Sequence, residues 1–320
     1  MKTNPEPSMI HVAVIGAGYM ACEHIKAFSD ILNVRIVGIY SRTATKARGV
    51  AAKFSIPLVA NSIPALFEQT RADIVVIAVS ELSVHAVVKE AFKYSWLCLI
   101  EKPVGIDYGE ALVIQKLANQ LGATAYVGLN RRHYSSTRVV IEELKDVKGQ
   151  RLIHVFDQEN PTEALADGHP KEVVQNWMYA NSMHVIDYLQ MFGRGEIASV
   201  EPIIRWQPDV PRFVMAKINY SAGDIGIYEA VWNGPGPWAV TVTTQQKRWE
   251  LRPLEQALVQ LYQSRNLDAL PAHLWDTQFK AGLRLQAEEM LNALNGLPHS
   301  LPTLENGLET MRLVKEIYEI

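Results

Sequence analysis

The first 130 residues alternate between short, continuously apolar runs and longer stretches in which apolar side chains recur every three or four positions. The runs Val12–Ile15, Val34–Ile39, Ile74–Val79, Trp96–Ile100 and Thr124–Val127 are rich in Val and Ile, the pattern of strands buried on both faces. Between them, Ala44–Phe54, Leu82–Tyr94 and Tyr108–Leu121 show helical spacing with few breakers. Strands alternating with helices predict an α/β fold, a doubly wound parallel Rossmann sheet over residues 1–130.

The texture changes beyond Asn130. Helical spacing over Tyr134–Lys145 precedes a strand at Arg151–Phe156, a polar loop at Asp157–Pro170 and a helix at Trp177–Phe192. Alternating or aromatic-rich runs follow at Ser199–Trp206, Arg212–Tyr220, Gly226–Trp232, Trp238–Thr244 and Arg248–Leu251. Turn residues separate them, including Ser221-Ala222-Gly223 and Asn233-Gly234-Pro235-Gly236-Pro237, so the spacing predicts an antiparallel meander. Helices at Leu274–Leu294 and Leu304–Tyr318 close the chain. Residues 131–320 are thus expected to form a second, substrate-binding and oligomerisation domain, with the final helix free to pack back on the first.

Composition narrows the function classes. The chain has 320 residues, 48% hydrophobic and 20% charged, with a formal net charge of -3. That is ordinary for a globular protein and lacks the basic field of a nucleic-acid binder. No apolar run is long enough to span a membrane. Met1–Ser8 has two prolines and no apolar segment, and reads as a frayed tail rather than a signal peptide. Cys22 and Cys98 are the two cysteines, which suits small buried hydrophobes in a reducing, cytoplasmic compartment. No His, Asp and Glu grouping has metal-ligand spacing, so no metal is expected.

Gly16-Ala17-Gly18-Tyr19-Met20-Ala21 follows the first strand and opens a helix. It is the G-x-G-x-x-A dinucleotide fingerprint: Gly16 permits the tight turn, Gly18 lets backbone approach a pyrophosphate, and Ala21 lets helix and sheet pack closely. An NAD site usually adds an acidic residue about 20 positions on, for the ribose 2′-hydroxyl. Here no acidic residue lies between Asp30 and Glu68, and the second strand ends at Tyr40-Ser41-Arg42-Thr43 with Lys46 one turn later. Ser41 or Thr43 can serve as an ordinary helix cap. The same hydroxyls with Arg42 and Lys46 can hold a 2′-phosphate that a carboxylate would repel, so NADP is expected over NAD.

Glu101-Lys102-Pro103 stands directly after the fourth apolar run, at the strand end where ligands of parallel sheets bind. Together with Gly16–Ala21, His24, Ser41-Arg42, the strand Asp73–Ser80 with His85 beyond it, Gly128-Leu129-Asn130-Arg131-Arg132, His184-Val185-Ile186-Asp187 and Leu301–Leu308, this order resembles the Gfo/Idh/MocA family of NAD(P)-dependent oxidoreductases. The resemblance covers nearly the whole chain. It implies a Rossmann domain followed by an α/β domain with a large, mostly antiparallel, open-faced sheet, an active site in the cleft between them, and homodimers or homotetramers formed through that sheet. It gives cofactor contacts to Tyr19, Met20, Ser80, His85, Glu101 and Lys102. Lys102 inherits the role of orienting the substrate oxygen beside the nicotinamide. His184 inherits the acid/base role, while Asp187, on the same helix face, orients or packs.

The chain departs from that pattern where the family commonly has an Asp four residues before the histidine. Ala180 stands there, Asn181 is the nearest polar replacement, and Ser182 takes the place of a glycine. Asn130, Trp177 and Asn181 are further substrate-pocket candidates. Trp206, Trp232, Trp238 and Trp249 are expected in the core or an interface. The predicted activity is hydride transfer between NADP and a secondary alcohol or ketone carbon of a sugar or sugar derivative. A nucleotide-sensing regulator, or a reductase of an imine or conjugated double bond, is the alternative.

Overall fold

The computed structural model describes residues 9–320; the tail expected at Met1–Ser8 lies outside them. The chain divides into two compact units. The first comprises residues up to Gly105, Gly109–Leu129 and Gln278–Gly307, and the second comprises Ile106–Tyr108, Asn130–Thr277 and Leu308–Ile320.

In the first unit, β1 (Ile10–Ile15), α1 (Tyr19–Ser29), β2 (Val34–Tyr40), α2 (Ala44–Phe54), α3 (Ile63–Thr70), β3 (Ile74–Ile77), α4 (Val84–Ala91), β4 (Leu97–Ile100), α5 (Tyr108–Leu121) and β5 (Ala125–Val127) follow in turn. The strands form a five-stranded sheet of order β2-β1-β3-β4-β5, with every pairing parallel. All four residues of β3 are buried, which is why its sequence is unbroken Ile and Val rather than alternating. The order reverses direction beside β1, and ligands bind such sheets at the carboxyl ends flanking that reversal.

The second unit contains α6 (Ser135–Lys145), β6 (Leu152–Glu159), α7 (Pro161–Ala166), α8 (Lys171–Gln175), a single π turn at Met178–Ser182 and α9 (Met183–Phe192). Then come β7 (Ile197–Ile204), β8 (Phe213–Tyr220), β9 (Ile225–Trp232), β10 (Ala239–Thr243), β11 (Lys247–Leu251), β12 (Ala257–Leu261), β13 (Asp268–Ala269) and α10 (Trp275–Gln278). The eight strands form one sheet of order β13-β12-β11-β10-β6-β9-β8-β7. It is antiparallel except for the β6–β9 pair. The expected meander is therefore interrupted: β9 and β10 are not neighbours, because β6 lies between them. The segment Asn233–Pro237 spans the end of β6 instead of making a tight hairpin. The Asn233 amide donates to the Glu159 carbonyl, and Gln158 Nε2 donates to the Gly234 carbonyl.

The helix expected over Leu274–Leu294 is two helices, α10 and α11 (Leu283–Leu294), parted by residues 279–282, where Gly282 at φ +77° caps the start of α11 in a backbone state no continuing helix adopts. The stretch Gln278–Gly307 returns to the first unit. There Leu283, Ala287 and Met290 of α11 join the core with Ala21, Ile25 and Phe28 of α1. Burying Leu283 and Met290 is worth roughly 1.5–3 kcal/mol each, which draws this segment out of residues 131–320. The last helix, α12 (Leu304–Tyr318), continues into the second unit.

Candidate functional site

In the first unit, Gly16 leaves β1 with φ +123°, and a Cβ there would stand 2.0 Å from the Ala78 carbonyl oxygen. Only glycine lets the turn pass this close to the end of β3. Two residues on, Gly18 caps α1, and a Cβ built on it meets nothing within 4 Å. No side chain caps that helix and its first turn holds no acidic residue. The opening amides of Tyr19, Met20 and Ala21 thus face space with the positive end of the helix dipole behind them, and these residues fit a dinucleotide pyrophosphate.

The other cofactor candidates stand along the same carboxyl edge. Ser41 follows β2, and its Oγ accepts from the Thr43 amide at 3.3 Å. Arg42, Thr43 and Lys46 are exposed. Ser80 follows β3, its Oγ 3.0 Å from that of Ser83. His85 faces Glu110, Nδ1 to Oε1 3.6 Å. After β4, the Glu101 carboxylate is buried and accepts from His24 Nε2 at 2.6 Å. Glu101 therefore ties the strand end to α1, with its side chain turned inward. Half-buried Lys102 comes next, joined to Pro103 by a cis peptide bond.

The second unit carries the remaining candidates. Ile153, Val155, Asp157 and Glu159 alternate on the buried face of β6. Glu159, fully buried, accepts through Oε2 from Trp177 Nε1 at 2.6 Å and Asn181 Nδ2 at 2.9 Å. One carboxylate oxygen thus grips a residue on the π turn and the residue just before it. Burial, followed by the charge and hydrogen bond of Asp157, pushes the Glu159 carboxyl well above its usual range, against the opposing bonds from Asn181 and Trp177. Two carboxyl groups thus stand on one buried face of the strand, where the protonated form of Glu159 is favoured. Asp157 also accepts from Tyr228 at 2.6 Å, and Tyr228 lies 2.8 Å from the Tyr318 hydroxyl.

Glu159, Trp177, Asn181, His169 and Trp238 line a cavity of about 420 Å³. His184, in the first turn of α9, has its ring centroid 6.4 Å from that of Trp238. Asn130 is buried in the short turn Asn130–His133. Asp187 is anchored elsewhere: its two oxygens accept from Arg132 Nη2 and Nε at 2.6 and 2.7 Å, and from Thr310 Oγ1 at 2.8 Å. Burial opposes the Arg132 charge, but Asp187 prevails and the guanidinium pKa is raised. Among the described residues no group of three His, Cys, Asp or Glu side chains is placed to hold a metal, and no helix is long and apolar enough to cross a membrane.

The sequence of residues 10–129 matches the model of the GFO_IDH_MocA oxidoreductase family, with its NAD-binding Rossmann fold. Over that stretch, which is the Rossmann part of the first unit, the chain is similar to the Gfo/Idh/MocA oxidoreductases. Among curated relatives it is 22% identical over 243 residues to the 4-carboxy-2-hydroxymuconate-6-semialdehyde dehydrogenase of a Sphingobium strain, covering 71% of this chain and 74% of that one. The UDP-N-acetylglucosamine 3-dehydrogenase of Acidithiobacillus ferrooxidans superposes with TM-score 0.78 at 17% identity, over 97% of both chains. A levoglucosan dehydrogenase complexed with NADH and levoglucosan gives TM-score 0.81 at 15% identity, over 97% of this chain and 96% of that one. At these identities the superpositions establish the fold.

Three groups of the chain escaped sequence reasoning. Asp157 and Glu159 were read as loop because acidic residues are poor strand formers; their period-two continuation of Ile153 and Val155 was the available signal. Trp238, expected in the core or an interface, is half-buried and lines the cavity, because its Nε1 donates to the Gln158 carbonyl at 2.9 Å. Arg131 lies over that same indole, its guanidinium carbon 4.2 Å from the ring centroid. The single helix expected over Trp177–Phe192 is interrupted by the π turn at Met178–Ser182. The π turn changes the spacing, and Asn181 Nδ2 is committed to Glu159.

Proposed function

We propose that the chain transfers a hydride between NADP and a secondary alcohol or ketone carbon of a sugar or sugar derivative. The observation that carries this is the glycine turn opening α1, with a lysine just after β4, two strands along in the same parallel sheet. The two dehydrogenases that share the fold act, by name, on a nucleotide sugar and an anhydrosugar, which supports the substrate class. Bound NADP supplies the hydride acceptor. Gly16 and Gly18 admit the pyrophosphate, while Ser41, Arg42, Thr43 and Lys46 offer hydroxyls and cations to the 2′-phosphate. Lys102 orients the substrate oxygen and stabilises its developing negative charge, and His184 takes the alcohol proton. Asn130, Trp177 and Asn181 shape the substrate pocket. The outward face of the eight-stranded sheet, with Leu152, Phe156, Met215 and Val231 on it, serves homo-oligomer formation in a cytoplasmic enzyme.

The test is calorimetric binding of NADPH and NADH to wild type and Arg42→Ala, with nicotinamide absorbance assays of Lys102→Met on polyols and sugars. NADPH should bind more tightly, and Arg42→Ala should erode the preference about 10- to 100-fold, the worth of one charge-assisted contact. Lys102→Met should bind cofactor normally and lose nearly all turnover. Tighter NADH binding would defeat the NADP assignment, and full activity in Lys102→Met would defeat the mechanism.

A further inference from the structure

Two adjacent arginines in the second unit have opposite surroundings. Arg132 is neutralised by the paired oxygens of Asp187. Arg131, half-buried, lies over Trp238, and its Nε and Nη1 are buried with no hydrogen-bond acceptor. Its polar neighbour is the Tyr134 hydroxyl, whose pKa burial raises while the Arg131 charge and hydrogen bond pull it down. Glu255 acts by charge on Tyr134 and Tyr188, yet no carboxylate among the described residues makes an ion pair with Arg131. Guanidinium nitrogens withdrawn from water without an acceptor are costly. Such a group is retained where an anion arrives with a ligand.

The indole beneath Arg131 is the wall it shares with the cavity. Trp238 lines that cavity with Trp177, Asn181 and Glu159, and it is the ring beside His184. The other ionisable groups on the wall are Glu159, Glu163, Asp167 and His169. Glu163 and Asp167 repel an anion, so Arg131 is the cation that would draw one to the Trp238 side. We propose that Arg131 binds an anionic group of the substrate, a carboxylate or a phosphoryl oxyanion carried on a hydroxylated carbon skeleton. This rests on the oxidoreductase reading for its placement beside the reacting carbon. It adds what that reading lacks, the charge of the substrate.

The experiment is calorimetric titration of the NADPH-loaded protein with D-gluconate, with inorganic phosphate and with neutral D-glucitol, on wild type, Arg131→Met and Arg131→Lys. Melting temperatures of the ligand-free proteins are measured alongside. Either anion should bind wild type at least about 10-fold more tightly than glucitol. Arg131→Met should lose that preference by about 10- to 100-fold, and Arg131→Lys should retain part of it. Preference for gluconate identifies a carboxylate substrate, and preference for phosphate a phosphoryl one. Arg131→Met should melt no lower than wild type, because it removes two buried guanidinium nitrogens that lack an acceptor. A lower melting point for Arg131→Met, equal binding of glucitol and both anions, or anion binding unchanged in Arg131→Met would each overturn the inference. Turnover of a neutral polyol that ignores Arg131→Met would overturn it while leaving hydride transfer standing. Arg131-dependent anion binding without turnover of any alcohol would do the reverse.

Discussion

Asp187 sits three residues beyond the histidine assigned to proton transfer, so losing it separates a structural anchor from a reacting group. It is 1% exposed, and its oxygens take three hydrogen bonds, two from Arg132 and one from Thr310. In Asp187→Ala the Arg132 guanidinium keeps its burial and loses its counter-charge, which costs about 3–5 kcal/mol. The stranded Thr310 hydroxyl adds about 1 kcal/mol. For a unit of this size, 1 kcal/mol moves the melting temperature by roughly 2–4 °C, so the second unit's transition should fall by about 8–24 °C. Calorimetry resolves this readily. Replacing both partners, as in Asp187→Leu with Arg132→Met, removes the orphaned charge, and should recover much of the loss. Activity per folded molecule should stay within a few-fold of wild type in the double variant. The reasoning is refuted if Asp187→Ala melts within a degree or two of wild type while its kcat collapses, for then the carboxylate works on the substrate.

Two further outcomes follow from the geometry. Gly16→Ala places a Cβ 2.0 Å from the Ala78 carbonyl oxygen at φ +123°, a strain of at least about 1–3 kcal/mol. It should lower both the melting temperature and NADPH affinity, and equal affinity would show that the turn is not the pyrophosphate cradle. The folded protein keeps a proton on Glu159 that the unfolded chain releases above about pH 4.5, so this group's contribution to stability is fully present below that pH and is lost as pH rises towards the folded-state pKa. Glu159→Gln should therefore gain on wild type in urea denaturation from acid to mildly alkaline pH, and parallel pH curves for the two proteins would contradict the raised Glu159 pKa.

How far the chain could be read varies with the range of the forces involved. The strands of the first sheet are legible because burial on both faces leaves an unbroken apolar run, as in Ile74–Ile77. Gly16 is legible because a local backbone requirement admits one residue type. The end of β6 was not, since Asp157, Gln158 and Glu159 have poor strand propensity and are held by partners such as Trp177 and Tyr228 that lie far along the chain. The placement of β6 between β9 and β10 was hidden for the same reason: a run of glycine and proline reads alike as a hairpin or as a bridge over another strand. Arg131 and Arg132 look interchangeable in sequence. Their difference arises only when Asp187 on α9 takes one of them and Trp238 underlies the other.

The return of Gln278–Gly307 to the first unit also bears on the order in which the protein can be built. A ribosome that has released 130 residues has delivered all five strands of the first sheet, but not α11. Until then the flank of α1 that receives Leu283, Ala287 and Met290 is left without its cover. The dinucleotide-binding unit therefore cannot be completed during synthesis before nearly the whole chain has emerged, and the second unit has most of its residues in hand first. A fragment ending near residue 130 would expose that apolar flank, and would be expected to bind chaperones or aggregate rather than serve as a free-standing nucleotide-binding module.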